Sequence, residues 1–289
     1  MCGVFGFIAN DGHQVNLKRL EAIAVATQRR GPHAFGFAWI DQRGRLRMYK
    51  QTGRISDHLG LLAMAADARM IVGHCRWATQ GDPANNLNNH PHAADGGWIV
   101  HNGVIRDYQE LCDHHDLAMN TDCDSEVLGL MVERFEGTLA QRCAEAVGQV
   151  DSPAVLLGLW SKPARMIAVR SGNPLMMGTA ETGIYLGSLR QGLPADAKEV
   201  ADGTTLEFRI NTKGRAYATR HETAPETEAE DAGEETRSGT DQAGHATQAG
   251  AGCGQADLFG SGDGCGDEGA VHARDARPFA IARRRAYGF

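Results

Sequence analysis

Hydrophobic and polar positions change period several times along the first 220 residues, and each change marks an element. Residues 4–9 form a short apolar run of the length expected for a buried strand. After Asn16, a residue suited to capping, Leu17, Leu20, Ile23, Ala24 and Thr27 recur on one helical face. Arg30-Gly31-Pro32 makes a turn, and 35–40 and 46–51 read as strands around the turn at 41–44. Residues 70–75 and 98–101 are two more strands. Asp124 or Ser125 opens a helix that turns Val127, Leu128, Met131 and Phe135 inward. Four apolar runs then alternate with turns, at 154–160, 166–169, 175–177 and 184–186, and 204–210 reads as the last strand. Many strands interleaved with few helices predict two sheets faced by helix layers.

Beyond residue 220 the patterning stops. The stretch 221–276 opens on Glu222, Glu226, Glu228, Glu230, Asp231, Glu234 and Glu235, and continues in Gly, Ala, Ser, Thr and Gln. Such a composition buries too little to offset its ordering entropy, so it is expected to be a disordered tether after a folded 2–220. Residues 277–289 are basic and aromatic, with Phe279, Tyr287 and Phe289 around Arg283-Arg284-Arg285, and suit a short docking peptide or, equally, an unstructured tail that binds nothing specific.

Charge and cysteine content narrow the field of functions. A formal charge of −7 argues against a nucleic-acid partner, which requires a basic face. No apolar run approaches the roughly 18 residues of a membrane span, and the N-terminus lacks the basic region of a signal peptide. The 7 cysteines include no C-x-x-C pair, which fits reduced thiols and a cytoplasmic location.

Four segments carry candidate chemistry. Loss of Met1 would leave Cys2 with a free α-amine, whose reference pKa of about 7.7–8.0 lets it act as base toward its own thiol. Gly3 and Gly6 would let other backbone approach; the plain alternative for Cys2 is a small buried residue. His101-Asn102-Gly103 can stabilise an oxyanion through the Asn amide and a Gly N–H, and Asn-Gly is equally a hairpin turn. Arg76, at the end of a strand and followed by Trp77-Ala78-Thr79, matches a carboxylate bidentately; a surface ion pair is the alternative. Asp124 can hold an ammonium group or cap the helix behind it. His90-x-His92 and His114-His115 have ligand-like spacing, but no Cys or acid cluster completes a set of four, so no metal is assigned, and no cofactor is called for.

In order and content, Cys2-Gly3-Val4-Phe5-Gly6, Arg30-Gly31, Arg76-Trp77-Ala78-Thr79, His90-Pro91-His92, His101-Asn102-Gly103 and Asp124-Ser125-Glu126 resemble the glutaminase domain of class II glutamine amidotransferases, the N-terminal-nucleophile hydrolases. The likeness runs over roughly 2–210 and is strongest to the glutaminase half of glucosamine-6-phosphate synthase. It implies an α+β fold, a four-layer α/β/β/α sandwich, and hydrolysis of the glutamine side-chain amide through a Cys2 thioester.

The resemblance further implies that Asn102 and Gly103 form the oxyanion hole. Arg76 would take the glutamine carboxylate and Asp124 its ammonium. Trp77 and Thr79 would sit in a loop closing on the substrate, with His90 and Arg30 in support. His33 stands where the family often has an acid, and Gln80 where the synthase tends to have His. The chain is expected to feed ammonia to a separate synthase subunit or to be a free-standing glutaminase. Two rivals remain, an N-terminal-Cys amidase acting on acylated amines and a catalytically silent regulatory subunit.

Overall fold

The computed structural model describes residues 2–221; the expected tether and terminal peptide lie outside the described residues, His221 excepted. The chain opens with β1 (Gly3–Ala9), α1 (Leu17–Gln28), β2 (Ala34–Asp41) and β3 (Leu46–Thr52). A 3₁₀ segment (Ile55–Ala65) leads to β4 (Ala68–Arg76), and a shorter one (Asn86–Asn88) to β5 (His92–Ala94) and β6 (Gly97–Asn102). Three helices follow, α2 (Tyr108–His115), α3 (Glu126–Arg134) and α4 (Leu139–Gly148). The remainder is β7 (Ala154–Ser161), β8 (Ala164–Ser171), β9 (Met176–Ala180), β10 (Gly183–Gly187), β11 (Lys198–Glu199), β12 (Thr204–Ile210) and β13 (Ala216–His221).

One sheet has 7 strands in the order β11-β9-β10-β1-β4-β2-β3, the other 6 in the order β13-β12-β8-β7-β6-β5. Three apolar layers hold them. Between the sheets lie Val4, Ile8, Val72, Val100, Val155 and Leu157, among others. The outer face of the first sheet buries Phe5, Phe7, Phe37 and Ile71 under Leu20 and Ile23 of α1 and under Ile55 and Leu62. The outer face of the second buries Ile99, Leu156 and Ile167 under α3 and α4. Fully burying one such side chain stabilises by about 1.5–3 kcal/mol, so both faces of both sheets contribute. The arrangement is the expected α/β/β/α sandwich.

Local readings fare unevenly. Asn16 caps α1 through a bond from the Arg19 N–H at 3.1 Å. A Cβ on Gly3 would lie 2.6 Å from Thr27 Cγ2, so close approach requires glycine there. On Gly6 it would meet the Ile71 carbonyl oxygen at 3.4 Å, an ordinary contact, so the backbone approach expected there does not demand glycine. Phe135 does not belong to the buried stripe of α3; it ends the helix and is half-buried. β13 extends the sheet past the expected last strand. Among the described residues no helix is long and apolar enough to cross a membrane.

Candidate active site

Strand parity decides which side chains meet. In β1, Val4 and Ile8 face the inter-sheet layer while Phe5 and Phe7 face α1, and the period of two carries Cys2 to the inter-sheet side. In β4, Val72 is inter-sheet and Ile71 and Cys75 are not, which turns His74 and Arg76 inward. In β6, Val100 is inter-sheet and Ile99 faces the helices, so Asn102 turns inward and His101 outward. The antiparallel pairing of Gly3 with Cys75 brings the start of β1 to the end of β4, and β6 contacts both strands across the layer.

Cys2 is buried, and its sulfur receives the Trp77 N–H at 3.3 Å. Its carbonyl accepts from Arg30 Nε at 2.7 Å. Burial pushes the Cys2 thiol up; the Trp77 backbone contact and the Arg76 charge pull it down, and Asp124 pushes it up again. The net rise leaves a protonated thiol that needs a base. A Cβ on Gly31 would lie 2.4 Å from the Arg76 carbonyl carbon, so the Arg30 loop can press against β4 only with glycine at that place.

Arg76 is buried and bonded to neutral acceptors: Nη1 donates to Asn89 Oδ1 at 2.9 Å, Nη2 to Gly81 O at 3.1 Å and to Gln80 O. It is not the surface ion pair that a lone arginine would suggest. Trp77 and Thr79 are exposed on the loop that follows. His33 accepts the Ala78 N–H at Nδ1, 3.1 Å away, and its ring lies 5.0 Å from that of Trp77, so this residue orders the loop without any acid.

Asn102-Gly103 is not a hairpin turn, because β6 pairs with β5 and β7 and residues 104–105 are not a strand. Neither the amide nitrogen nor the oxygen of the buried Asn102 side chain has a partner among the described residues. Unpartnered buried amides are rare in folded proteins and suit a group that arrives from outside. Asp124 is no helix cap either: Ser125 precedes α3 and makes no side-chain cap bond. The Asp124 carboxylate instead accepts the Ile105 N–H at 2.7 Å and the Ser125 N–H at 2.9 Å. It thereby holds the segment following Gly103. A carboxylate has about four acceptor positions, so capacity for an ammonium remains.

Histidines that the sequence only hinted at crowd behind these groups. His74, His90, His92 and His101 are all buried. The His74 and His90 rings are 3.9 Å apart and those of His90 and His92 4.6 Å. Burial lowers His74 to about 3 and His101 to about 4, the latter against the raising charge of Asp124. His101 Nδ1 lies 2.9 Å from Ser125 Oγ. His90, expected near the pocket, is packed into this cluster. Cys123 joins His90 and His92, three donor atoms lying within 4.8 Å of one another. The sequence spacing of 90 and 92 pointed to the pair but not to the cysteine. His114 and His115 meet edge to face on α2, and Phe135 meets His115 in the same way.

No family model matches the chain. Glutamine phosphoribosylpyrophosphate amidotransferase from B. subtilis superposes with a TM-score of 0.61 at 23% identity, covering 76% of this chain and 49% of its own. A glutamine aminotransferase class-II domain protein from Silicibacter pomeroyi gives 0.52 at 18%, covering 78% of this chain and 100% of its own. The chain therefore has the N-terminal-nucleophile fold of the class II glutamine amidotransferases.

Sequence carries the assignment further. The glutamine–fructose-6-phosphate aminotransferase (isomerizing) of Bacillus licheniformis is 36% identical over 140 residues, 47% of this chain and 22% of its own. That of Symbiobacterium thermophilum is 31% identical over 196 residues, 65% and 31%. The chain is homologous to the glutaminase domain of these enzymes, the glucosamine-6-phosphate synthases, and spans less than a third of their length.

Proposed function

We propose that this chain hydrolyses the side-chain amide of glutamine and that Cys2 is the nucleophile. With Met1 removed, the α-amine of Cys2 accepts the thiol proton as sulfur bonds to the amide carbon. The tetrahedral oxyanion is held by the Asn102 amide and the Gly103 N–H. Collapse breaks the carbon–nitrogen bond, the amine returns its proton to the departing ammonia, and water hydrolyses the thioester to glutamate and free thiol. Arg76 binds the glutamine carboxylate and Asp124 its ammonium. Trp77 and Thr79 close over the substrate, and Arg30 fixes Cys2 through its carbonyl. The ammonia passes to a synthase partner outside residues 2–221, since the matched part of the relatives is under a third of enzymes named for an aminotransfer to a sugar phosphate.

The observation that supports this reading most is the meeting of three features at one end of the inter-sheet layer. They are a thiol facing the Trp77 N–H, a buried arginine bonded to neutral acceptors, and an asparagine amide with no partner among the described residues. A cation and a carboxylate beside one thiol favour an amino-acid amide over an acylated amine. The test is labelling by a glutamine-analogue electrophile, followed by mass mapping and an ammonia assay. We expect label on an N-terminal Cys2 and no turnover in Cys2→Ala; glutaminase activity retained by Cys2→Ala would sink the reading.

A further inference from the structure

The cluster behind the site has a feature that hydrolysis does not use. His90 and His92 are 2% and 3% exposed, and Cys123 is 2% exposed. Neither ring nitrogen of His90 and not Nε2 of His92 has a partner among the described residues, although burying an unpaired polar atom costs about 1–3 kcal/mol. The Cys123 sulfur makes a long contact of 3.7 Å with Asp124 Oδ1, and the Ser125 backbone and hydroxyl also bear on it. From each of the three residues one donor atom lies within 4.8 Å of the others. Metal bonds of roughly 2.0–2.3 Å need donors a little closer than that, a change within the reach of side-chain rotation.

We infer that His90, His92 and Cys123 form a buried His₂Cys site for a thiophilic d¹⁰ ion, with copper(I) the best match. Donor softness selects this class, since thiolate and imidazole together suit copper and zinc and not magnesium or calcium. Charge then separates the two candidates. Lys50 stands beside the cluster, its ammonium donating to the carbonyls of Leu87, Asn89 and Pro91 at 3.2, 2.7 and 3.3 Å, and Arg76 is bonded to Asn89. The carboxylates of Asp124, which touches the Cys123 sulfur, and of Glu126 balance these two charges, so with the thiolate a monovalent ion makes a neutral centre and a divalent ion leaves one positive charge over.

On binding, the sulfur–metal bond replaces the sulfur–hydrogen bond, the proton leaves to solvent, and the ion keeps its oxidation state. The bound ion would join two segments already stitched by Asn88 and Asp122, whose bonds are 2.9 and 3.3 Å. One segment carries Asn89, the partner of Arg76, and the other carries Asp124. Occupancy would therefore stiffen both charged groups that flank Cys2. The site does not depend on the glutaminase reading and is tested without it.

The experiment uses full-length Cys2→Ala protein, which removes the active-site thiol, under anaerobic conditions. Copper(I) is supplied from a chromophoric chelator, and zinc in a parallel titration. The expected result is one copper(I) retained per chain and an unfolding midpoint raised by copper. Adding Cys123→Ser or His92→Ala should weaken retention by at least about 100-fold, beyond the upper end of what loss of an outer-shell partner costs. Adding Cys112→Ser, on α2, should leave it unchanged. The unfolding midpoint without metal establishes that each variant is folded. No retention by the Cys2→Ala protein, or retention indifferent to both Cys123→Ser and His92→Ala in folded protein, would overturn the site. Tighter zinc than copper(I) binding would overturn the choice of ion.

Discussion

Each residue at the thiol answers to a different measurement. Because burial raises the Cys2 thiol, the α-amine rather than the thiol should govern the alkaline rise of activity. The kcat/KM profile should climb to a plateau near the amine's ordinary value of about 7.7–8.0, and protein that keeps Met1 should lose this limb. Asn102→Ala should lower kcat by about 100- to 1000-fold with little change in KM, the usual cost of an oxyanion donor. Asp124 allows a finer separation, since its carboxylate also holds the Ile105 N–H. Asp124→Asn keeps an acceptor for that bond and loses the charge, so KM should rise roughly 10- to 150-fold with kcat nearly intact. Asp124→Ala loses both, and kcat should fall as well. Equal kinetics for the two variants would show that Asp124 acts through one of these contacts alone.

At the scale of elements, the turn joining β2 and β3 offers a stability test. Asp41 is buried; that raises its carboxyl, but the Arg45 and Arg43 N–H groups and the Arg45 guanidinium together hold it below the ordinary range. A carboxyl lowered in the folded state stabilises above its unfolded pKa of about 3.9, and that stability is lost as pH falls toward the folded value. Asp41→Asn should therefore lower the unfolding midpoint at pH 7 and remove much of the difference from the parent near pH 3. α4 gives a second test: its capping box joins Thr138 and Gln141, and Thr138→Ala should cost about 0.5–2 kcal/mol in a denaturant titration. That box was legible in Thr138-Leu139-Ala140-Gln141, with Cys143, Ala146 and Val147 following on one face, although no helix is among the elements expected there. β13 was illegible for a physical reason. Ala216-Tyr217-Ala218-Thr219-Arg220-His221 lies at a sheet edge and is mostly exposed, so it carries no apolar alternation. Strands buried on both faces, such as β1 and β7, showed as continuous apolar runs and were read correctly. Asp124 was misread as a possible cap because its partner Ile105 lies 19 residues away, beyond any local pattern. Cys123 beside His90 and His92 escaped notice for the same reason.

For the whole molecule, every contact described around Cys2 comes from residues 2–221. A chain ending at His221 should keep the unfolding transition and the ammonia-releasing activity of the full chain, as calorimetry and a coupled assay would establish. If the terminal peptide docks a partner, only recovery of that partner in a pull-down should drop. The two sheets divide the chemistry between them, Cys2 preceding β1 of one and Asn102 ending β6 of the other, with Val4, Ile8 and Val100 packed in the layer that separates them. The reach from sulfur to oxyanion donor is thus a thickness, set by the girth of aliphatic side chains. Ile8→Val, thinner by one methylene, should cost about 0.5–1.5 kcal/mol of stability and lower kcat out of proportion, while KM holds. Hydrostatic pressure compresses the same spacer without any substitution, and turnover measured under pressure should shift well before the protein unfolds.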